Sequence, residues 1–259
     1  MISSILKLGY PGVSTGDVVA ATKSIRKELS KTDTPITYTD LRIQAIQLEL
    51  ERCLERLAGP ELSGVVDLSV SRRIFDVWLQ ARHEAAERYL FDGTVDMLEE
   101  VSKSHPGVVI GAVTNGRGNP LDMPALAPYF AFTISGEDAE VFPARKPHRG
   151  IFDATLTRYK ELTGEDNVSC WIHVGDDLAN DVGASAVVGA RAIWFDMERD
   201  SEKQDGDKQP SWSTASKEEI ERRKQMAQEA EGSVSKRIAT LAELPGAIGD
   251  ILLNTASCQ

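Results

Sequence analysis

Three carboxylates follow one apolar segment of the chain within a single short loop. They are Asp176, Asp177 and Asp181, and they come directly after residues 169–174, which the apolar pattern predicts as a strand. Ligands of open α/β sheets bind at the carboxyl ends of strands. Clustered oxygen ligands without cysteine favour Mg²⁺, which often brings a substrate phosphate with it. The spacing therefore indicates a Mg²⁺ site. The alternative is a turn that only caps the next helix, through Asn180 or Asp181.

A second polar group follows residues 108–113, which the pattern predicts as a buried parallel strand. The hydroxyl of Thr114 and the backbone amides of Asn115 and Gly116 form a candidate donor site for an anionic oxygen, of the kind that backbone nests make around phosphate. An ordinary Asn-Gly turn after a strand is the alternative.

A basic residue stands at the predicted start of a helix that runs through Tyr159. Lys146 comes directly before Pro147, which suits the first position of a helix, and an ammonium group placed there can point at a phosphate. Taken in isolation, a surface Lys-Pro turn is the alternative.

The three groups in order resemble motifs II, III and IV of the haloacid dehalogenase-like hydrolase superfamily. The matching segments are Thr-Asn-Gly at 114–116, Lys-Pro at 146–147 and Gly-Asp-Asp-x-x-Asn-Asp at 175–181. The resemblance covers residues 91–196. It implies an α/β fold, with a Rossmann-like parallel sheet as the core and a helical cap, and it implies Mg²⁺-dependent hydrolysis of phosphomonoesters.

The same resemblance implies a role for each matching residue. The residues that would bind the phosphoryl group are Thr114, Asn115, Gly116 and Lys146. The residues that would hold the metal are Asp176 and Asp177. Lys146 would also neutralise charge that develops during the reaction, and Asp181 would orient Lys146, so these two form the implied catalytic pair.

One motif of the family is absent from the sequence. Family members begin with an apolar strand that ends in Asp-x-Asp-x-Thr, where the first Asp is the nucleophile and the second is the general acid and base. Residues 90–95 imitate the end of this motif, but Leu90 stands in the nucleophile's place and the segment lies too close to Thr114. Asp92 and Gly93 are better interpreted as the turn before a helix at 95–104. We therefore expect the first core strand to be missing.

Residues 15–90 are predicted to form the helical cap. Amphipathic patterns predict one helix after a cap at Ser14 or Thr15, a second at about 40–57 and a third at about 70–89. Residues 37–45 resemble cap sequence from the branch that includes flavin-pathway phosphatases. A purely structural helical bundle is the alternative, since bundle packing describes either case.

The core is predicted over residues 91–254, with a polar insertion at about 197–236. Within the insertion, residues 216–230 predict an exposed helix in which Glu219 pairs with Arg223 one turn later. Residues 238–245 predict a final strand or turn, and residues 247–253 a closing helix.

Composition limits the kinds of partner. The chain of 259 residues has a net charge of −11, which argues against a general nucleic-acid binder. The spacing of the three cysteines suits neither a metal site nor a disulfide framework; they are Cys53, Cys170 and Cys258. We therefore expect reduced thiols and an intracellular location, cytoplasmic or organellar. No apolar run approaches the length of a membrane span.

The resemblance implies a Mg²⁺-dependent phosphomonoester hydrolase that acts on a small phosphorylated metabolite, with a flavin-pathway ester as the first candidate. A catalytically inactive phosphate-binding or regulatory relative is the alternative function. A truncated gene model of a longer enzyme, a natural isoform and a noncatalytic relative would each explain the missing motif, and the sequence alone does not separate them.

Overall fold

The computed structural model describes residues 1, 2, 5, 10–58, 66–197 and 217–256. These residues form two compact units. The first lies within Met1–Arg88, and the second contains residues 89–197 and 217–256.

The first unit consists of the helices α1 (Thr15–Leu29), α2 (Tyr38–Ala58) and α3 (Leu68–Arg88). The predicted cap of α1 is confirmed: Ser14 Oγ accepts from the Asp17 amide at 3.2 Å, and Asp17 Oδ2 accepts from the Ser14 amide at 2.8 Å. Apolar side chains from all three helices form its core, and Ile5 is fully buried among them. The first unit therefore has a hydrophobic core of its own.

The second unit alternates helices with parallel strands. In chain order its elements are α4 (Thr94–Ser104), β1 (Gly111–Thr114), β2 (Phe132–Ser135), α5 (Arg149–Thr163), β3 (Ile172–Gly175), a π-helical turn (Leu178–Gly183), α6 (Ala184–Val187), β4 (Arg191–Phe195), α7 (Lys217–Ala230), β5 (Val234–Ile238) and α8 (Leu244–Ala256). Every strand pairing among the described residues is parallel. The predicted α/β fold with a parallel sheet core is confirmed.

The strands form two separate sheets. β1 pairs with β2, and β4 lies between β3 and β5; no described strand joins β1 to β3. Two apolar clusters nevertheless connect each sheet to a residue that directly precedes a strand of the other. One, built on α4 and α8, takes in Ile110 before β1 and Ile172 of β3, while the other, built on α5 and α6, takes in Val113 of β1 and Trp171 before β3. The two sheets therefore share the same covering layers.

Several element boundaries differ from the sequence predictions. β1 begins at Gly111, three residues later than predicted, and a Cβ atom there would lie 2.3 Å from the ring of Phe132 on β2. The helix after β3 starts as a π-helical turn, because the Asp177 carbonyl accepts from the amides of both Asp181 and Val182. β5 begins at Val234, inside the segment assigned to the polar insertion. Residues 198–216 of that insertion lie outside the described residues.

Among the described residues, none of the helices is both long enough and apolar enough to cross a membrane. Cys53 and Cys170 are free thiols, as expected, and Cys258 lies outside the described residues.

Candidate active site

Lys146 connects the two sheets at the carboxyl ends of their strands. Its Nζ donates to the Val113 carbonyl of β1 at 2.9 Å and to Asp181 Oδ1, in the turn after β3, at 2.6 Å. The two side chains are only 12% and 9% exposed, so the ion pair is largely shielded from water. The predicted pair of Lys146 and Asp181 is therefore in direct contact, and the ammonium retains one further proton to donate.

Asp181 is held as a carboxylate by its surroundings. Burial favours the neutral acid, but contact with His173, whose Nε2 lies 3.5 Å from Asp181 Oδ1, and the charge of Lys146 together lower the pKa of Asp181 from 3.8 to about 2. Oδ2 of Asp181 also accepts from the Asp177 amide at 3.2 Å. His173 packs its ring edge-on against Phe152, with the ring centroids 5.6 Å apart. His173 therefore packs against Phe152 and supports Asp181.

Gly175 makes this arrangement possible. A Cβ atom at Gly175 would lie 2.4 Å from both Cβ and Cγ of Asp181, closer than side chains approach one another. The absence of a side chain at the last residue of β3 lets Asp181 fold back against the strand end and reach Lys146.

Asp177 caps the turn that follows β3. Its Oδ1 accepts from the amides of Ala179 and Asn180 at 3.0 and 2.9 Å, and its Oδ2 accepts from the Asn180 side chain at 2.8 Å and from Arg223 on α7. The alternative of a capping turn had named Asn180 or Asp181 as the cap, whereas the cap is Asp177, which stands directly before the turn and accepts from the amides two and three residues later.

Asp176 is exposed, and no described residue donates a hydrogen bond to its carboxylate. Its backbone carbonyl accepts from the indole of Trp194 at 3.1 Å, which fixes the loop beside the end of β4. No group of three or more His, Cys, Asp or Glu side chains among the described residues could hold a metal ion. Magnesium is commonly bound through one or two carboxylates together with water and substrate phosphate. Among the acids of this loop, Asp176 is the one whose carboxylate has no described donor and is therefore available to a Mg²⁺ ion.

The residues after β1 are only partly free to bind a phosphate. Thr114 Oγ1 accepts from the Gly116 amide at 3.2 Å, which leaves the Thr114 hydroxyl proton available as a donor but engages the Gly116 amide. Asn115 donates through its side-chain nitrogen to the Lys146 carbonyl at 2.8 Å, and its Oδ1 is buried without a partner among the described residues. Asn115 thus ties the strand end to the segment that carries Lys146.

Sequence reasoning missed several charged and aromatic residues at the same edge. Arg237 of β5 donates through Nε to Asp196 at 2.7 Å, and its guanidinium lies 4.5 Å from the centre of the Trp194 ring. Asp196 follows β4 directly, so a polar residue after a strand was the signal that could have indicated it. Arg223 gave no such signal, because it lies 46 residues from Asp177 and meets it only in the folded chain.

Comparisons with known proteins agree with the fold and with part of the sequence. The chain matches no model of a known protein family. Over 121 residues, 47% of this chain, it is 30% identical to the 5-amino-6-(5-phospho-D-ribitylamino)uracil phosphatase YigB of Escherichia coli, and the match spans 43% of that enzyme. The chain thus covers less than half the length of this relative.

A solved structure resembles nearly the whole chain. The 2-haloacid dehalogenase from Pseudomonas syringae superposes with a TM-score of 0.61 and 19% identity, over 96% of this chain and 87% of that protein. At this identity the superposition establishes the fold, and the match to the Escherichia coli phosphatase adds similarity in sequence. The chain therefore has the fold of the haloacid dehalogenase, and part of its sequence is similar to that of the Escherichia coli phosphatase.

Proposed function

We propose that this chain carries the phosphate-binding part of a Mg²⁺-dependent phosphomonoester hydrolase. The observation that supports the proposal most strongly is the clamp at Lys146, whose ammonium is fixed between the Val113 carbonyl and Asp181 at the carboxyl edge of the strands. Phosphoryl transfer depends mainly on positioning and on stabilising negative charge, and a fixed, shielded ammonium provides both.

The phosphate would be bound by neighbouring donors. The free proton of Lys146, the hydroxyl of Thr114 and the Asn115 amide are donors available for the phosphoryl oxygens, with the Gly116 amide available only when it leaves the Thr114 hydroxyl. When bound, Mg²⁺ would supply positive charge to the phosphoryl oxygens, with Asp176 as its principal protein ligand and Asp177 as a second carboxylate nearby. Asp181 keeps Lys146 in position and, with its lowered pKa, keeps a compensating negative charge beside it.

The substrate that we propose is a small phosphorylated metabolite. A flavin-pathway ester is the first candidate, because residues 37–45 resemble cap sequence of that branch of the superfamily, and the Escherichia coli relative is named as a phosphatase of a phosphoribitylamino-uracil. The similar fold of a haloacid dehalogenase makes carbon-halogen hydrolysis a second reaction to test, by chloride release from a 2-haloacid.

The phosphate site is tested by the binding of inorganic phosphate. Calorimetry should detect binding by the unaltered chain, loss of binding in Lys146→Gln, and weakened binding in Thr114→Val, which keeps the side-chain shape but removes the hydroxyl. Lys160→Gln is the matched control, because Lys160 is an exposed lysine of α5 that pairs with Asp166. Equal phosphate binding by all four proteins would contradict the proposal.

Turnover distinguishes an enzyme from a silent phosphate pocket. A covalent route needs a nucleophile, and loss of one member of such a catalytic unit removes most of the activity. Because the sequence lacks Asp-x-Asp before the cap, we expect phosphate binding without measurable hydrolysis of p-nitrophenyl phosphate by this chain. Hydrolysis that Asp181→Asn abolishes would show that the chain as given is an active enzyme.

A further inference from the structure

The three acids of the loop after β3 have different partners. Asp181 is buried against Lys146, Asp176 is exposed with no described donor at its carboxylate, and Asp177 lies between them with Arg223 on its Oδ2. Arg223 comes from α7, so a distant part of the chain places a positive charge on the acidic loop.

The packing of α7 shows that this contact is built into the fold. At the carboxyl end of α7, Ala230 is 4% exposed and lies over Gly183, the last residue of the π-helical turn. A Cβ atom at Gly183 would lie 2.7 Å from Cβ of Ala230, so the helix and the turn meet where only glycine leaves room. Arg223 is thus carried by a helix that is seated on the same turn that Asp177 caps.

The hydrogen-bond donors around Asp177 occupy the acceptor positions of its carboxylate. An ionised carboxylate offers about four lone-pair sites, and Asp177 accepts from two amides, from the Asn180 side chain and from Arg223. A Mg²⁺ ion needs an oxygen with a free lone pair in a demanding octahedral arrangement. Three of the four donors belong to the turn itself, whereas Arg223 is a half-exposed side chain from another helix. Arg223 is therefore the donor that a metal ion would have to displace.

We propose that Arg223 is a positioning residue that acts through Asp177 as an internal counter-cation. It holds Asp177 in the cap of the turn, withholds Oδ2 of Asp177 from Mg²⁺ and leaves Asp176 as the carboxylate that meets the ion. The inference rests on the proposed Mg²⁺ dependence of the site. It predicts that the metal affinity of the acidic loop is set by a residue outside the motifs.

The test is a calorimetric titration of Mg²⁺ into the unaltered chain and three variants of α7. Arg223→Gln should bind Mg²⁺ about 5- to 10-fold more tightly than the unaltered chain, because removing the guanidinium frees Oδ2 and makes the loop more negative. Arg222→Gln is the matched control: it removes the same charge from the adjacent, exposed position and should leave Mg²⁺ affinity within about twofold. Arg223→Lys, which keeps the charge, should stay close to the unaltered chain.

The double variant Asp177→Asn with Arg223→Gln identifies the ligand. It should lose the gain in affinity, since the oxygen that was freed no longer carries a charge. Thermal unfolding adds a second readout: Arg223→Gln should have a lowered Tm without Mg²⁺ that recovers when Mg²⁺ is added.

Equal Mg²⁺ affinity in Arg223→Gln and Arg222→Gln overturns the inference, and so does a lack of detectable binding in both. A lowered Tm in Arg223→Gln that Mg²⁺ does not restore, with unchanged affinity, also overturns it, because Arg223 would then only stabilise the fold. The proposed phosphate site fails separately, through loss of inorganic phosphate binding by the unaltered chain.

Discussion

The two sheets of the second unit are built from similar strands but differ in how completely they are paired. In the sheet β3–β4–β5, the middle strand β4 has a neighbour on each side, and Ala192 and Ile193 are fully buried. In the sheet β1–β2, every residue of β1 is only partly buried, although Phe132 and Ile134 of the outer strand β2 are buried. The candidate site lies beside the edge of β1 that has no strand neighbour among the described residues, where the Lys146 ammonium donates to the Val113 carbonyl.

This difference indicates that the sheet β3–β4–β5 is more completely paired than the sheet β1–β2. The backbone N–H and C=O groups at an unpaired strand edge need hydrogen bonds from water or from another chain. They destabilise the fold if they are buried without a partner, and they promote aggregation if they are exposed. Among the described residues, one edge of β1 and one edge of β3 have no strand beside them. Because both sheets share their covering helices, a further parallel strand between β1 and β3 would complete one sheet.

The largest expected effect comes from supplying such a strand. We expect the chain alone to unfold over a broad range of denaturant or to aggregate. An N-terminal extension with an apolar strand ending in Asp-x-Asp should give one sharp transition and hydrolysis of p-nitrophenyl phosphate. Far-ultraviolet circular dichroism in urea and a colorimetric assay measure the two effects.

A Gly-Ser extension of equal length is the control for this experiment and should change neither property. Cooperative unfolding and ester hydrolysis by the unextended chain would refute both the missing strand and the missing nucleophile.

The next largest effect is expected at the contact between the sheets. In the extended chain, whose single transition defines a free energy of unfolding for this and the following comparisons, Lys146→Met leaves Asp181 buried without its cation. It should lower that free energy by about 3–5 kcal/mol, measured in urea. Lys160→Met, at an exposed ion pair on α5, should cost less than about 1 kcal/mol. Similar losses in the two variants would mean that the Lys146 clamp does not stabilise the second unit.

Truncation of apolar side chains compares the two sheets directly. Ile193→Ala in β4 should lower the free energy of unfolding by about 2–5 kcal/mol, because the side chain is fully buried. Val113→Ala in β1 should cost roughly 1 kcal/mol, because that side chain is only partly removed from water. A loss at Val113 as large as that at Ile193 would show that β1 is as tightly packed as β4.

A further effect at the contact of Lys146 with Asp181 is a dependence of stability on pH. The pKa of Asp181 is lowered from 3.8 to about 2 in the folded chain, so the folded state binds this proton less readily than the unfolded state. The stabilisation is therefore fully present above about pH 5 and is lost as the pH falls through 4 towards 2, with a size of about 2 kcal/mol. Asp181→Asn should flatten this part of the curve of unfolding free energy against pH, and an unchanged slope would contradict the assignment.

Local features of the sequence predicted much of the second unit. The strands β1 and β3 and the helices α4 and α5 followed from local sequence patterns, whereas β2 was not predicted. The contact of Lys146 with Asp181 followed from the resemblance to the family motifs. A cap of α1 at Ser14 or Thr15 was also predicted, because capping depends on residues close together in the chain, and the cap is Ser14.

Long-range contacts were beyond sequence reasoning. Whether Arg223 would pair with Glu219 nearby or reach Asp177 depends on the seating of α7 on the π-helical turn, which no local pattern encodes. The distribution of roles among Asp176, Asp177 and Asp181 depends in the same way on which donors the fold brings to each carboxylate. The sequence indicated which residues belong to the site, whereas tertiary packing determines the hydrogen-bond and ion-pair partners of each residue.

The close approach at Gly175 has a consequence for how this site would look in a mutational survey. Every other amino acid would put a side-chain atom where Asp181 lies, so any replacement displaces the carboxylate that holds Lys146. A survey that records only lost phosphate binding would rank Gly175 beside the charged residues, although glycine has no group that could touch a substrate. Position 175 thus offers a way to disable the site while leaving every ionisable side chain in the sequence.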